Sequence, residues 1–275
     1  MKLIGAELLK LRTTNTWWVF ALIAVPLWAI TLFFNYFQTS FLLNPEQFGG
    51  TVPENDPALE AVSDVVYLAA NLYTNGQLFG LLIVMLLGVI VVTNEFFHQT
   101  ATTTFLTSPH RTAVIVAKLV AASIIGVLFW VITTAANLVV TPLILNGLDT
   151  GAQLDQSGVW EAIGLNGLAY LLWAIFGVGF GVLIRSQMGA TVAAIIFYFA
   201  GFIGAALFFS TFANRFGDWI NNLQVLVPSL ASQLMVSGTT LPGNPPQWVG
   251  AVVLIGYAVV TGVVGTLIVR KRDIS

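Results

Sequence analysis

The sequence predicts an all-α membrane protein with six transmembrane helices, and three observations carry that reading: composition, run length and charge sorting. The 275 residues are 57% hydrophobic and only 8% charged, with a mean hydropathy of +0.88. A soluble domain carries about a quarter charged residues, so this composition lies far from the globular range. Six runs free of Asp, Glu, Lys and Arg span approximately 17–37, 77–93, 119–145, 162–184, 189–211 and 248–269. About 20 apolar residues cross a hydrocarbon core of roughly 30 Å as a helix. The apolar runs leave no space for a separate soluble domain, so residues 1–275 read as one membrane domain.

Taken in order, the first run is long, rich in aromatics and followed by Asn35, Tyr36, Phe37 and Gln38. It lacks the small-residue cleavage site of a signal peptide and reads as a retained helix. The second run is short. The third is long enough to tilt or to include a turn around Pro142. Residues 38–76 and 212–247 form long connectors, 94–118 and 147–161 are of middle length, and 185–188 make a tight turn.

Charge sets the orientation. Lys2, Lys10, Arg12, Arg111, Lys118, Arg185, Arg270, Lys271 and Arg272 fall on one side of a six-span topology, and Arg215 alone on the other. Basic residues in short loops mark the cytoplasmic side, so both termini are expected in the cytoplasm. The acids Glu46, Glu54, Asp56, Glu60, Asp64, Asp149, Asp155, Glu161 and Asp218 sort to the outside. Moving one span in or out would scramble this sorting.

What is missing narrows the function. No ionisable residue falls inside a predicted span, whereas ion- and proton-coupled transporters usually need one at membrane depth. The weak polar groups there, Thr133, Thr134, Asn137, Asn166 and Thr191, either hydrogen bond between helices or line a polar path. There is no cysteine, no Gly-x-Ser-x-Gly elbow and no His-Glu-x-x-His motif, and both histidines, His98 and His110, sit in one connector. No catalytic residue and no metal site is therefore expected. A Gly-x-x-x-x-Gly-Lys-Ser/Thr phosphate loop is also absent, so the chain is not expected to bind ATP in that way. Gly177, Gly179 and Gly181 lie within a predicted span, where they suit close helix approach, within the chain or to another subunit.

The connector NEFFHQTATTTFLTSPHRTAVIVAK, residues 94–118, carries the most information. Glu95 stands where the second span leaves the membrane. A threonine-rich short helix bearing Phe105 and Leu106 follows, and Pro109 stops it. Arg111 and Lys118 are expected to anchor the third span at the headgroups. An exposed aromatic–leucine pair needs a cover, either the N-terminal segment or a groove on a soluble partner. The N-terminal segment itself bears an apolar stripe of Ile4, Leu8 and Leu11, which suits a helix lying in the interface. Residues 216–234 alternate Trp219, Ile220, Leu223, Leu226 and Leu230 with polar residues, as an interfacial or re-entrant helix or as a loop helix covering the bundle.

Glu95, Phe96, Gln99-Thr100, Leu106-Thr107-Ser108-Pro109, Arg111 and Ala117-Lys118 resemble, in order, the coupling-helix region of the membrane subunits of type-2 ATP-binding cassette (ABC) exporters. Gln99 departs from the pattern, because glycine is common there. The N-terminal segment resembles the family's amphipathic first helix, and Arg270-Lys271-Arg272-Asp273-Ile274 resembles its usual ending. The resemblance covers the whole chain.

It implies a permease domain over residues 1–275, with a short cytoplasmic coupling helix between spans 2 and 3 and a re-entrant-like segment before span 6. Such a permease sits in the cell membrane and pairs with a second copy or a related chain. Two separate ATPase subunits bind the ATP and magnesium, and this chain holds no cofactor. Glu95, Thr100, Phe105, Leu106, Pro109 and Arg111 would couple to the ATPase. In this family the second and fifth spans tend to line the central cavity, which would place Gln77, Phe79, Met85, Phe197, Tyr198 and Phe202 around a hydrophobic or amphiphilic substrate. Ordinary packing of these aromatics is the plain alternative. Two rival functions are a non-transporting scaffold or sensor and an ion-coupled secondary transporter.

Overall fold

A computed structural model describes residues 2–14, 16–49, 57–100, 111–184, 186–216, 218–240 and 244–271. Among these there are helices and turns but no strand. The helices are α1 (Lys2–Thr13), α2 (Thr16–Leu43), α3 (Pro57–Val62), α4 (Val65–Tyr73), α5 (Gln77–Phe97), α6 (Arg111–Gly147), α7 (Ser157–Leu183), α8 (Gln187–Phe216), α9 (Pro228–Met235) and α10 (Gln247–Lys271). Six stretches are long and apolar enough to cross a membrane: Thr16–Leu43, Val65–Phe97, Thr112–Gly147, Ser157–Leu183, Gln187–Phe209 and Gln247–Leu267. Helices suit this composition because lipid offers no partner to backbone N–H and C=O groups, which a helix satisfies internally.

The second crossing differs from the sequence expectation. The connector assigned to residues 38–76 ends in α4, which leads into α5 through a break at Thr74, Asn75 and Gly76. The Asp64 carboxylate caps α4 by accepting from the Val66 and Tyr67 amides at 2.9 and 3.0 Å. Thr74-Asn75-Gly76 reads as loop in the sequence. Tertiary partners keep that break inside the bundle, because the Asn137 amide donates to the Tyr73 and Asn75 carbonyls at 3.0 and 2.9 Å. Gly76 takes a left-handed φ of 86°, and a Cβ there would press on the Trp28 ring.

The third crossing also runs longer than expected. Helix α6 begins at Arg111 and passes through Pro142 without ending.

At the centre, α5 and α7 run parallel in close contact. A methyl group at Gly177 would collide with the Met85 carbonyl, and one at Gly88 with the Ala174 carbonyl. Glycine therefore lets the two backbones meet, so Gly177 serves a contact inside the chain. Gly179 faces Thr261 of α10, which runs parallel to α7. Only about a quarter of the apolar windows of α8 and α10 is buried, and no residue of that of α2 is fully buried. Residues 218–226 form 3-10 turns leading into α9, and both pack on the bundle through Ile220, Val225, Ala231 and Met235. Because α5, α7 and α10 are parallel, α1 and the last turns of α10 lie at one end of the bundle.

Candidate functional site

Two places gather polar chemistry. The first is at the α1 end. On α1 the Ile4–Leu8–Leu11 stripe is half-buried, yet the most buried of the described side chains of that helix is the acid Glu7, at 5% exposure. Glu7 meets Lys118 near the start of α6 and Glu95 in the last turn of α5. The Lys118 ammonium donates to Glu7 Oε2 at 2.8 Å and to the Val91 carbonyl at 3.1 Å, and pairs with Glu95 Oε1 at 2.9 Å. Those three partners match the three protons of an ammonium. Lys10, partly open to solvent, closes the cluster at 2.7 Å from Glu7 Oε1 and 2.6 Å from Glu95 Oε1. Two carboxylates and two ammoniums balance in charge, as buried ions must. Burial works against the Lys10 charge, but the hydrogen bonds it donates to Glu7 and Glu95, with their negative charges, outweigh it and hold its pKa above the ordinary value.

The expectation that Lys118 anchors α6 at the headgroups is corrected: Lys118 is 2% exposed and locked among α1, α5 and α6. The sequence hides this because Glu7 lies 111 residues away. A charged pair at the ends of two apolar runs was the only available signal.

The end of α5 explains the departure at Gln99. The Thr100 amide donates to the Glu95 carbonyl at 2.9 Å and the Gln99 amide to the Phe96 carbonyl at 3.3 Å. This is a Schellman closure, with Gln99 at φ 56° in the position that favours glycine. Of the residues expected to couple to an ATPase, Glu95 thus belongs to the ion cluster and Thr100 stands beside it. Phe105, Leu106 and Pro109 lie outside the described residues, as does the side chain of Arg111, the first residue of α6. Phe97 and Met188, both well exposed, flank a recess of about 480 Å³ that His98 and Gln187 also line.

The second place lies at the opposite end, around the break between α4 and α5. A cavity of about 610 Å³ opens between α2, α4, α5 and α9. Its floor is tied together by side-chain amides: Asn35 donates to Asn75 Oδ1 at 2.8 Å, Asn75 to the Trp28 carbonyl at 3.2 Å, and Trp28 Nε1 to Asn137 Oδ1 at 2.8 Å. Gln77 donates to Asn166 Oδ1 at 3.1 Å and to the Ser232 carbonyl at 3.2 Å.

Of the six residues expected around a cavity, Gln77 and Phe79 line this one. The others take packing positions. Met85 is fully buried between α5 and α7. Tyr198 is also buried: it donates to the Leu78 carbonyl and lies edge-on to Trp173 at 5.0 Å. Phe197 packs on Phe176 and Phe180 at 5.6 and 5.3 Å, and Phe202 is half-buried on α8. Among the described residues, the rings of α8 pack directly on those of α7. The open cavity lies between α2, α4, α5 and α9 and mixes amides with apolar side chains.

Six membrane-length apolar helices, packed through glycine contacts and closed by an internal ion cluster, define a multi-pass helical membrane protein. Residues 32–275 match a family described as a protein of unknown function (DUF2705), and the chain belongs to that family. No curated protein matches it significantly.

Proposed function

We propose that this chain is the membrane-spanning permease subunit of an ATP-driven exporter of the ABC type-2 class. It would sit in the cell membrane with both termini in the cytoplasm, beside a second copy or a close relative. Two separate ATPase subunits would bind ATP and magnesium, so the chain would act as a transport subunit without catalysis of its own.

The observation that supports this best is the ion cluster of Glu7, Lys10, Glu95 and Lys118. It fastens α1, the end of α5 and the start of α6 into one unit at the two roots of the connector that resembles a coupling helix. A push on residues 101–110 would then move three helices together rather than bend a loop. ATP can shift a two-state bundle only through a difference in affinity between the states, and a rigid root transmits such a difference. The exposed Phe97 and Met188 at the same end suit a covered contact.

The test is to purify the complex with its ATPase and replace the connector's apolar pair (Phe105→Ala with Leu106→Ala). The expected result is a several-fold loss of substrate-stimulated ATP hydrolysis. Unchanged assembly together with unchanged stimulation would sink the coupling role.

A further inference from the structure

The cavity between α2, α4, α5 and α9 mixes polar and apolar lining, and among the described residues its polar part is uncharged and incompletely paired. Its floor amides, Asn35, Asn75 and Gln77, are bonded to one another or to the bundle. Its wall differs. The side-chain amides of Gln38, Asn71 and Gln233 line the same space, and none makes a hydrogen bond to a described residue. The Tyr67 hydroxyl, also on the wall, is likewise unbonded there, and Tyr67 and Gln233 border a second cavity of about 150 Å³ as well. Among the described residues, no Asp, Glu, Lys, Arg or His lines the larger space. Three carboxamides and a phenol offer donors and acceptors together, with no charge to offset that of a phosphate or an ammonium. On one side the cavity is bounded by Ile30 and Phe34, which stand exposed on the lipid-facing helix α2 at 49% and 63%. A volume of about 610 Å³ is in the range of small-molecule sites.

We infer that this cavity binds the head of an amphiphile that is uncharged and bears several hydroxyl groups, a glycosyl lipid rather than a phospholipid, with its tail along Ile30 and Phe34. Each sugar hydroxyl both donates and accepts, which matches carboxamides that do the same. A phosphate would find donors but, among the described residues, no cation to offset its charge. The inference rests on the transport reading only in calling this molecule the cargo. Binding itself needs no ATPase, so the two readings fail separately.

The full chain is reconstituted in phosphatidylcholine nanodiscs and titrated with a monoglucosyl diacylglycerol. A phosphatidylglycerol of the same acyl length serves as control, and the readout is the thermal unfolding midpoint. The glucosyl lipid should raise the midpoint saturably and the control should not. Asn71→Leu and Gln233→Leu should each weaken the response roughly fivefold, the effect of one lost hydrogen bond. Gln38→Leu, at an exposed site on α2, gives a third reading should the Asn71 variant fold poorly. An equal response to both lipids, no response to the glucosyl lipid, or an unchanged response in folded variants would each overturn the assignment. A chain that binds the glucosyl lipid yet assembles with no ATPase would keep this inference and remove the transport reading.

Discussion

Lys118 carries more of the molecule than its place at the edge of an apolar run suggests. Its three partners lie on α1 and α5, and its own side chain is only 2% exposed. Replacing it with methionine would leave Glu7 and Glu95 buried with Lys10 as their shared cation. Breaking one side of a buried ion group costs about 3–5 kcal/mol. Lys118→Met should therefore lower the thermal unfolding midpoint sharply in detergent, and Lys118→Arg should recover only part of the loss because a guanidinium does not fit an ammonium's three bonds. An unchanged midpoint would show that the cluster is not structural.

The Lys10 pKa is raised, so its contribution is complete below its ordinary value of 10.5 and fades only as pH climbs through the raised value. Hydrogen exchange of α1 should accordingly show the same protection from about pH 6 to about pH 9 once corrected for intrinsic rates. Loss of protection inside that window would contradict the assigned pairing. Gln99 gives the opposite sign. Its left-handed φ of 56° costs a non-glycine residue about 1 kcal/mol, so Gln99→Gly should raise the unfolding midpoint.

Among the elements, α5 and α7 decide the packing, and glycine decides how near they come. Gly177→Ala should cost about 1–3 kcal/mol, because the methyl group meets a backbone carbonyl that cannot move aside. Gly164 on the same helix faces open space, and Gly164→Ala should cost nothing. Equal midpoints for the two variants would show that α5 and α7 do not meet as described.

The helices themselves were legible in the sequence because run length and absence of charge are local properties. The joining of α4 to α5 was not. Its break at Thr74-Asn75-Gly76 looks like loop until Asn137, from another helix, satisfies the carbonyls. The packing partners of the aromatics are hidden for a similar reason. Aromatics on α5 and α8 look alike whether they line space or fill it, and here Tyr198 and Phe197 fill it against Trp173 and Phe176. Beside the expected Gln77 and Phe79, the cavity at the α4–α5 break takes amides from α2, α4 and α9, which carry no local pattern. Glu95 was found because an acid at the end of an apolar run stands out. Glu7 and Lys118 acquired their role only through a contact made across the fold.

For the molecule as a whole, an even number of crossings places α1 and the end of α10 together, and the charge sorting makes that end the cytoplasmic one in the proposed function. The chain has no cysteine, so single cysteines can report topology without background. A cysteine at Thr150 should react with a membrane-impermeant maleimide on intact cells, and one at Thr13 only after lysis. The central claim, an energy source outside this chain, is tested most directly by what the membrane subunit carries with it. Purified in mild detergent from its own cells, it should bring a soluble phosphate-loop ATPase in equal amount, and Phe105→Ala with Leu106→Ala should reduce that yield. A chain that purifies alone and transports on a proton or sodium gradient would contradict the account.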